Sequence, residues 1–195
     1  ELNIGGGFGV HYTDEERKPF SYFLDPAMDM IEKYFSSLGI KRPEIVIEPG
    51  RSIVAEAGIS LYTVGSIKEI KGIRKYVSVD GGMTDNIRPA LYQAVSDGII
   101  ANKADEQKTE KVTICGKCCE SGDILIRDIN IAEPQTGDIF AVFSTGAYGY
   151  SMASNYNKNP IPAVVLVKEG RSELIVKRQS FADIIKNELI PESLR

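Results

Sequence analysis

The period of the hydrophobic pattern changes once, near residue 58, and that change limits the folds open to this chain. Before it, Ile4 ends a strand in Gly5-Gly6-Gly7-Phe8-Gly9, and Glu44-Ile45-Val46-Ile47-Glu48 is a second strand that runs into Pro49-Gly50-Arg51 and a helical Ser52 to Ala57. Between them, past a polar loop around Thr13 to Lys18, Asp25 reads as an N-cap, Pro26 as the first helical residue and Gly39 as the residue just past the end. Met28, Ile31, Phe35 and Leu38 then share one face, which should pack against a core. Strand, glycine turn and helix, repeated, is the grammar of a parallel sheet, whose ligands bind at the C-terminal strand ends. Two such units cannot close a (β/α)8 barrel, which takes about 250 residues. Residues 1–58 are therefore expected to be an incomplete barrel remnant, its last two β/α units.

After residue 58 the pattern alternates. Ile59 to Ile70, Tyr76 to Val79, Val112 to Ile114, Ile124 to Ile131, Ile139 to Phe143, Pro162 to Val167 and Leu174 to Val176 read as antiparallel strands between turns. Residues 59–195 are expected to form an all-β, Greek-key-like barrel or sandwich. Asn102 to Lys111 reads as a charged solvent loop, and Ser180-Phe181-Ala182-Asp183 as a capping box. It would start a short helix that turns Phe181, Ile184, Ile185 and Leu189 inward. The fold class is thus mixed, and 195 residues at 43% hydrophobic can bury a substantial core.

Several functions are set aside by composition. Net charge is −4 with Lys and Arg scattered, so no basic stripe marks a nucleic-acid partner. No apolar run reaches the ~20 residues of a membrane helix and no signal peptide opens the chain, so the expectation is a cytoplasmic protein with no membrane partner. The sequence starts at Glu1 and enters Leu2-Asn3-Ile4 at once, which reads as a piece of a longer protein. Cys115, Cys118 and Cys119 are too crowded for a disulfide framework, and with no second cluster to complete four ligands no metal site is expected. The lone His11 lies in a loop away from any strand-borne nucleophile, which argues against a Ser-His-Asp triad.

Four stretches carry candidate chemistry. Cys119-Glu120 sets a thiol beside a carboxylate on a glycine-punctuated loop, fit for a proton donor with a binding carboxylate, for half a metal site, or for a plain turn. Gly5-Gly6-Gly7 lets backbone N–H groups approach an anion, and is equally an ordinary turn. Arg51 and Arg88 offer planar donor forks suited to a carboxylate; Arg88, after the turn Asp80-Gly81-Gly82, also reads as a surface residue. The segment Ser144 to Asn157, rich in small residues and tyrosine, can lay a phenol on a planar ligand or simply close-pack a junction.

Taken in order, Gly5-Gly6-Gly7-Phe8-Gly9, Glu48-Pro49-Gly50-Arg51, Asp80-Gly81-Gly82 through Arg88-Pro89-Ala90-Leu91-Tyr92, Cys119-Glu120-Ser121-Gly122-Asp123 and Gly146-Ala147-Tyr148 resemble the motifs of diaminopimelate decarboxylases, fold type III enzymes that use pyridoxal 5'-phosphate (PLP). The resemblance covers essentially the whole chain as the C-terminal half of such an enzyme. It implies decarboxylation of meso-diaminopimelate to lysine and carbon dioxide, with residues 1–58 belonging to the PLP-binding barrel. It further implies that Gly6, Gly7 and the backbone of Glu48, Pro49, Gly50 and Arg51 hold the cofactor phosphate. Glu48 would pair with the pyridinium nitrogen, and Tyr148 would contact cofactor and substrate.

Arg51, Arg88 and Tyr92 would grip the substrate's distal carboxylate, and Glu120 its distal ammonium. Cys119 would return a proton to the carbon that loses carbon dioxide. In the family this Cys-Glu pair completes the partner's site, which implies a homodimer. Two departures stand out. No lysine here sits in a motif matching the family's cofactor anchor, so the 195 residues alone are expected to be inactive, and Asn159-Pro160-Ile161-Pro162 stands where an arginine would precede the second proline. The alternatives are a decarboxylase for ornithine, arginine or carboxynorspermidine, or a non-catalytic regulatory homologue.

Overall fold

The computed structural model describes residues 1–14, 16 and 18–195, so positions 15 and 17 of the expected polar loop lie outside the description. Two short strands, β1 (Leu2–Asn3) and β2 (Ile45–Val46), pair in parallel, Leu2 opposite Ile45. Ile4 N–H to the Val46 carbonyl (3.0 Å) and Glu48 N–H to the Gly5 carbonyl (2.7 Å) carry the ladder on into the glycine turn. The helix between them, α1 (Phe20–Ser37), begins earlier than Asp25 and takes Pro26 inside. Pro26 is exposed, and within the helix it both lacks the hydrogen for the bond to the Tyr22 carbonyl and crowds that carbonyl with its ring. Its end is where the glycine places it, Gly39 at φ +66°.

The apolar face of α1 is less covered than its pattern implies. Met28, Ile31 and Phe35 are half-buried and Leu38 is exposed. What anchors the helix is Phe8, buried edge-on against Phe20 and Phe23 at ring separations of 5.0 and 6.1 Å.

Past α2 (Arg51–Val54) come β3 (Ser60–Ile70), β4 (Arg74–Val79), α3 (Arg88–Tyr92), β5 (Gly98–Ile100), β6 (Glu110–Cys115), β7 (Ile124–Ile131) and β8 (Ile139–Val142). The strands form one six-stranded sheet in the order β5-β8-β3-β4-β6-β7. It curls into a nearly closed barrel, with Ile131 and Ala132 at the end of β7 lining the same crevice as Ile99 and Ile100 of β5. The pairing is antiparallel except between β4 and β6, which run parallel, a correction to the all-antiparallel expectation. Alternation sets the inside: Tyr62 and Val64 of β3 are buried while Leu61 faces out. Phe140, Ile100, Ile114 and Val77 fill the centre, each side chain contributing about 1.5–3 kcal/mol by leaving water.

The stretch read as a charged solvent loop is more structured. Asn102 and Lys103 turn inward to the buried Asp138, at 2.8 Å each, and Glu110 and Lys111 already belong to β6. The hairpin of β9 (Val164–Lys168) and β10 (Arg171–Val176) stands apart as its own two-stranded sheet. The Ser180 capping box forms and starts α4 (Phe181–Ile185). Its side chains do not turn inward as expected: Phe181, Ile185 and Leu189 are exposed and only Ile184 is half-buried.

Candidate active site

The glycine turn is built by close approach. A Cβ on Gly6 would lie 2.5 Å from the Glu48 carbonyl oxygen, and Gly7 holds φ +88°, so neither position accepts a side chain without strain. The Gly6 and Gly7 N–H groups make no hydrogen bond among the described residues, which leaves two donors free in the turn that packs on Glu48. Asn3 holds the Glu48 carboxylate at 2.6 Å and also accepts the Gly5 N–H at 2.8 Å. A glycine cradle with free N–H groups beside an oriented carboxylate is a donor set that fits a phosphorylated, cationic-ring cofactor.

Beyond the cradle lies a cationic corner. The Arg51 guanidinium sits over the Tyr148 ring at 5.2 Å and that of Arg88 over the Tyr12 ring at 4.3 Å. Arg88, at the start of α3, is 7% exposed and its Nε has no partner among the described residues. Burial lowers its pKa and nearby Arg51 adds to the shift, against an opposing pull from Tyr12. Tyr148 reaches this corner in a left-handed conformation, φ 60°. Its loop is pinned by Gly146, whose N–H bonds the Ala55 carbonyl at 2.9 Å and whose Cβ would fall 1.9 Å from the Val54 carbonyl oxygen. Tyr92, one turn along α3, is exposed.

The thiol and acid form a second group. Cys119 is exposed; its thiol donates to Glu120 Oε1 at 3.3 Å and accepts from Asn157 Nδ2 at 3.7 Å. The Tyr156 hydroxyl donates to the same Glu120 oxygen, and the other, Oε2, is buried without a partner among the described residues. Cys118 differs in kind. Burial and then Asp123 push its thiol up to about 11, which leaves it protonated and unreactive at neutral pH. An arginine was expected at the position Ile161 holds; two residues earlier, Asn159 Nδ2 approaches Cys118 Sγ at 3.8 Å.

Asp123 fixes the whole loop. Its buried carboxylate accepts the Met83 N–H at 2.7 Å and the Cys118 N–H at 2.8 Å. Added Cβ atoms on Gly82 and Gly116 would meet it at 2.6 and 2.2 Å. The loop bearing Cys119 and the loop leading to Arg88 are thus clamped to one carboxylate.

The sequence-predicted residues therefore fall into two groups. One gathers Gly6, Gly7, Glu48, Pro49, Gly50, Arg51, Arg88 and Tyr148; the other holds Cys119 and Glu120. Among the described residues no hydrogen bond, ion pair or ring contact joins them. Tyr12 was not singled out from sequence, and Tyr156, Asn157 and Asp123 lie in stretches that were, without a role of their own, since their contacts with Arg88, Glu120, Cys119 and Met83 bring together separate parts of the chain. No three His, Cys, Asp or Glu side chains among the described residues are placed to share a metal ion. No helix among them is long and apolar enough to cross a membrane.

Comparison with known proteins places this geometry. Residues 13–146 match the family model described as the pyridoxal-dependent decarboxylase, C-terminal sheet domain. The chain belongs to this family. The diaminopimelate decarboxylase of Bacillus subtilis strain 168 is 54% identical over 189 residues, 96% of this chain and 43% of that protein. A diaminopimelate decarboxylase from M. jannaschii in complex with L-lysine superposes with TM-score 0.88 at 37% identity, over 99% of this chain and 44% of that one. A lysine/ornithine decarboxylase from Vibrio vulnificus complexed with cadaverine is more distant, with TM-score 0.66 and 25% identity, over 80% of this chain and 40% of that one. The chain thus spans less than half the length of these decarboxylases.

Proposed function

We propose that this chain is the C-terminal part of a cytoplasmic diaminopimelate decarboxylase that converts meso-diaminopimelate to L-lysine and carbon dioxide. The observation that carries the choice of substrate is Arg88, 7% exposed and beside Arg51, with no carboxylate paired to it among the described residues. A desolvated cation next to a second one calls for an anion, and a substrate with a second carboxylate supplies it. Tyr92, on the same short helix, would border that group.

When bound, PLP supplies the electron sink for loss of the carboxylate. Gly6 and Gly7 with the backbone of Glu48, Pro49, Gly50 and Arg51 would hold its phosphate, the Glu48 carboxylate would pair with the ring nitrogen, and Tyr148 would contact cofactor and substrate. Cys119 donates the proton to the carbon that loses carbon dioxide, and the unpaired Glu120 Oε2 receives the distal ammonium.

Residues 1–58 are the last two units of the PLP-binding barrel and 59–195 the β-domain. The parallel pairing of β1 with β2 across α1 supports the first assignment. The lack of contact between the two site groups supports a homodimer in which each Cys119-Glu120 loop serves the neighbour's cradle. Full-length protein loaded with PLP should release carbon dioxide and form lysine from meso-diaminopimelate; absence of both ends the proposal.

A further inference from the structure

Arg88 owes its position to a residue that the reaction itself does not require. The contact recorded for its guanidinium is the face of Tyr12, 4.3 Å from the ring centroid, while Arg51 repels it from nearby. Left to itself, a desolvated arginine without a carboxylate would swing toward water, because its charge is poorly compensated where it lies. Tyr12 is well placed to prevent that. The residue before it is gripped at both ends: the His11 N–H bonds Glu56 Oε1 at 3.0 Å, and the His11 carbonyl accepts the Ser144 hydroxyl at 2.8 Å. Ser144 is itself buried and held at φ 55°. The Tyr12 hydroxyl is buried with no partner among the described residues, so what this side chain offers the protein is its ring.

We propose that Tyr12 is the positioning residue of the carboxylate-binding corner: its ring face holds the unpaired Arg88 guanidinium in the orientation that receives a substrate carboxylate. This rests on the reading of Arg88 as the distal-carboxylate receptor. A cation held over an aromatic face in a desolvated setting gains substantially from it, and an arginine already fixed loses less freedom on binding.

The test uses full-length protein loaded with PLP and two probes that differ by one carboxylate, L-lysine and cadaverine. Tyr12→Phe keeps the ring face and should bind L-lysine within about twofold of wild type. Tyr12→Leu should bind L-lysine about tenfold more weakly while its affinity for cadaverine stays unchanged, which also shows that the variant is folded. In turnover, Tyr12→Leu should raise KM for meso-diaminopimelate about tenfold with kcat within about threefold. Equal losses for both probes mean a merely structural role and overturn the inference. So does an unchanged Tyr12→Leu, or a Tyr12→Phe as weak as Tyr12→Leu. A wild-type protein that binds L-lysine no better than cadaverine overturns the carboxylate reading of Arg88 and this inference together. If wild type discriminates and Tyr12→Leu discriminates as well, this inference alone fails.

Discussion

Tyr62 donates a 2.6 Å hydrogen bond to Asp85 inside the barrel mouth, and both groups hold their protons longer than usual. Burial, reinforced by the neighbouring Asp85, raises the Tyr62 phenol well above its ordinary value. Burial raises the Asp85 carboxyl against the opposing pull of its hydrogen bonds from Tyr62 and Gly82. The loop over this pair is tight, since a Cβ on Gly81 would lie 2.3 Å from the Tyr62 ring. It leads directly to Arg88.

Tyr62→Phe should therefore act in opposite senses at different pH. At pH 7 it removes a buried hydrogen bond and costs about 1–2 kcal/mol. Above about pH 10 the unfolded chain loses the Tyr62 proton while the folded one keeps it, so wild-type stability falls with rising pH. The variant lacks that contribution, and its denaturant midpoint should decline less steeply between about pH 10 and 11.

The Asp123 clamp yields a second expectation. Asp123→Asn keeps the size but turns an NH2 donor toward one of two backbone N–H donors, at Met83 and Cys118. The loss should be about 2–3 kcal/mol in a urea melt. Gly116→Ala should cost more, because its methyl would meet the carboxylate at 2.2 Å.

The pair of half-buried Lys103 and buried Asp138, 2.8 Å apart, governs the acid side. Burial alone would raise the Asp138 carboxyl, but hydrogen bonds from Lys103, Asn102 and the Gln135 N–H outweigh it and hold the pKa below the ordinary value. The stabilisation is complete above the unfolded value, about pH 4, and fades as pH falls through the lower folded one. Lys103→Met should cost about 3 kcal/mol near neutral pH and flatten that acid dependence, as read by thermal melts from pH 7 to 2.

A shared site makes a prediction about mixtures. Full-length Cys119→Ala and Arg88→Gln should each be nearly inactive. Refolded together in equal amounts, they should recover about a quarter of wild-type turnover, since half the dimers carry one intact site. If both groups act within one chain, the mixture stays inactive.

Much of the barrel is written in local pattern. The alternation of β3, the capping box at Ser180 and the stop at Gly39 follow from residues within a few positions of each other. What stayed hidden depends on distant partners. The strand β5 was not among those expected, and it opens on Gly98, where a Cβ would fall 2.4 Å from the Ala141 carbonyl oxygen. The parallel β4–β6 register has no local mark. In the candidate site, the glycine cradle and the Cys119-Glu120 pair were legible because their motifs are contiguous. Tyr12 under Arg88, and Asp123 between Gly82 and Gly116, exist only once the chain is folded.

The most direct measurement is kcat/KM of the full-length, PLP-loaded protein for meso-diaminopimelate and for ornithine, in wild type and in Arg88→Gln. Wild type should prefer meso-diaminopimelate by about 100-fold or more, and Arg88→Gln should lose most of that preference through meso-diaminopimelate alone. Comparable rates on both substrates in wild type, or a preference that survives Arg88→Gln, would contradict the account.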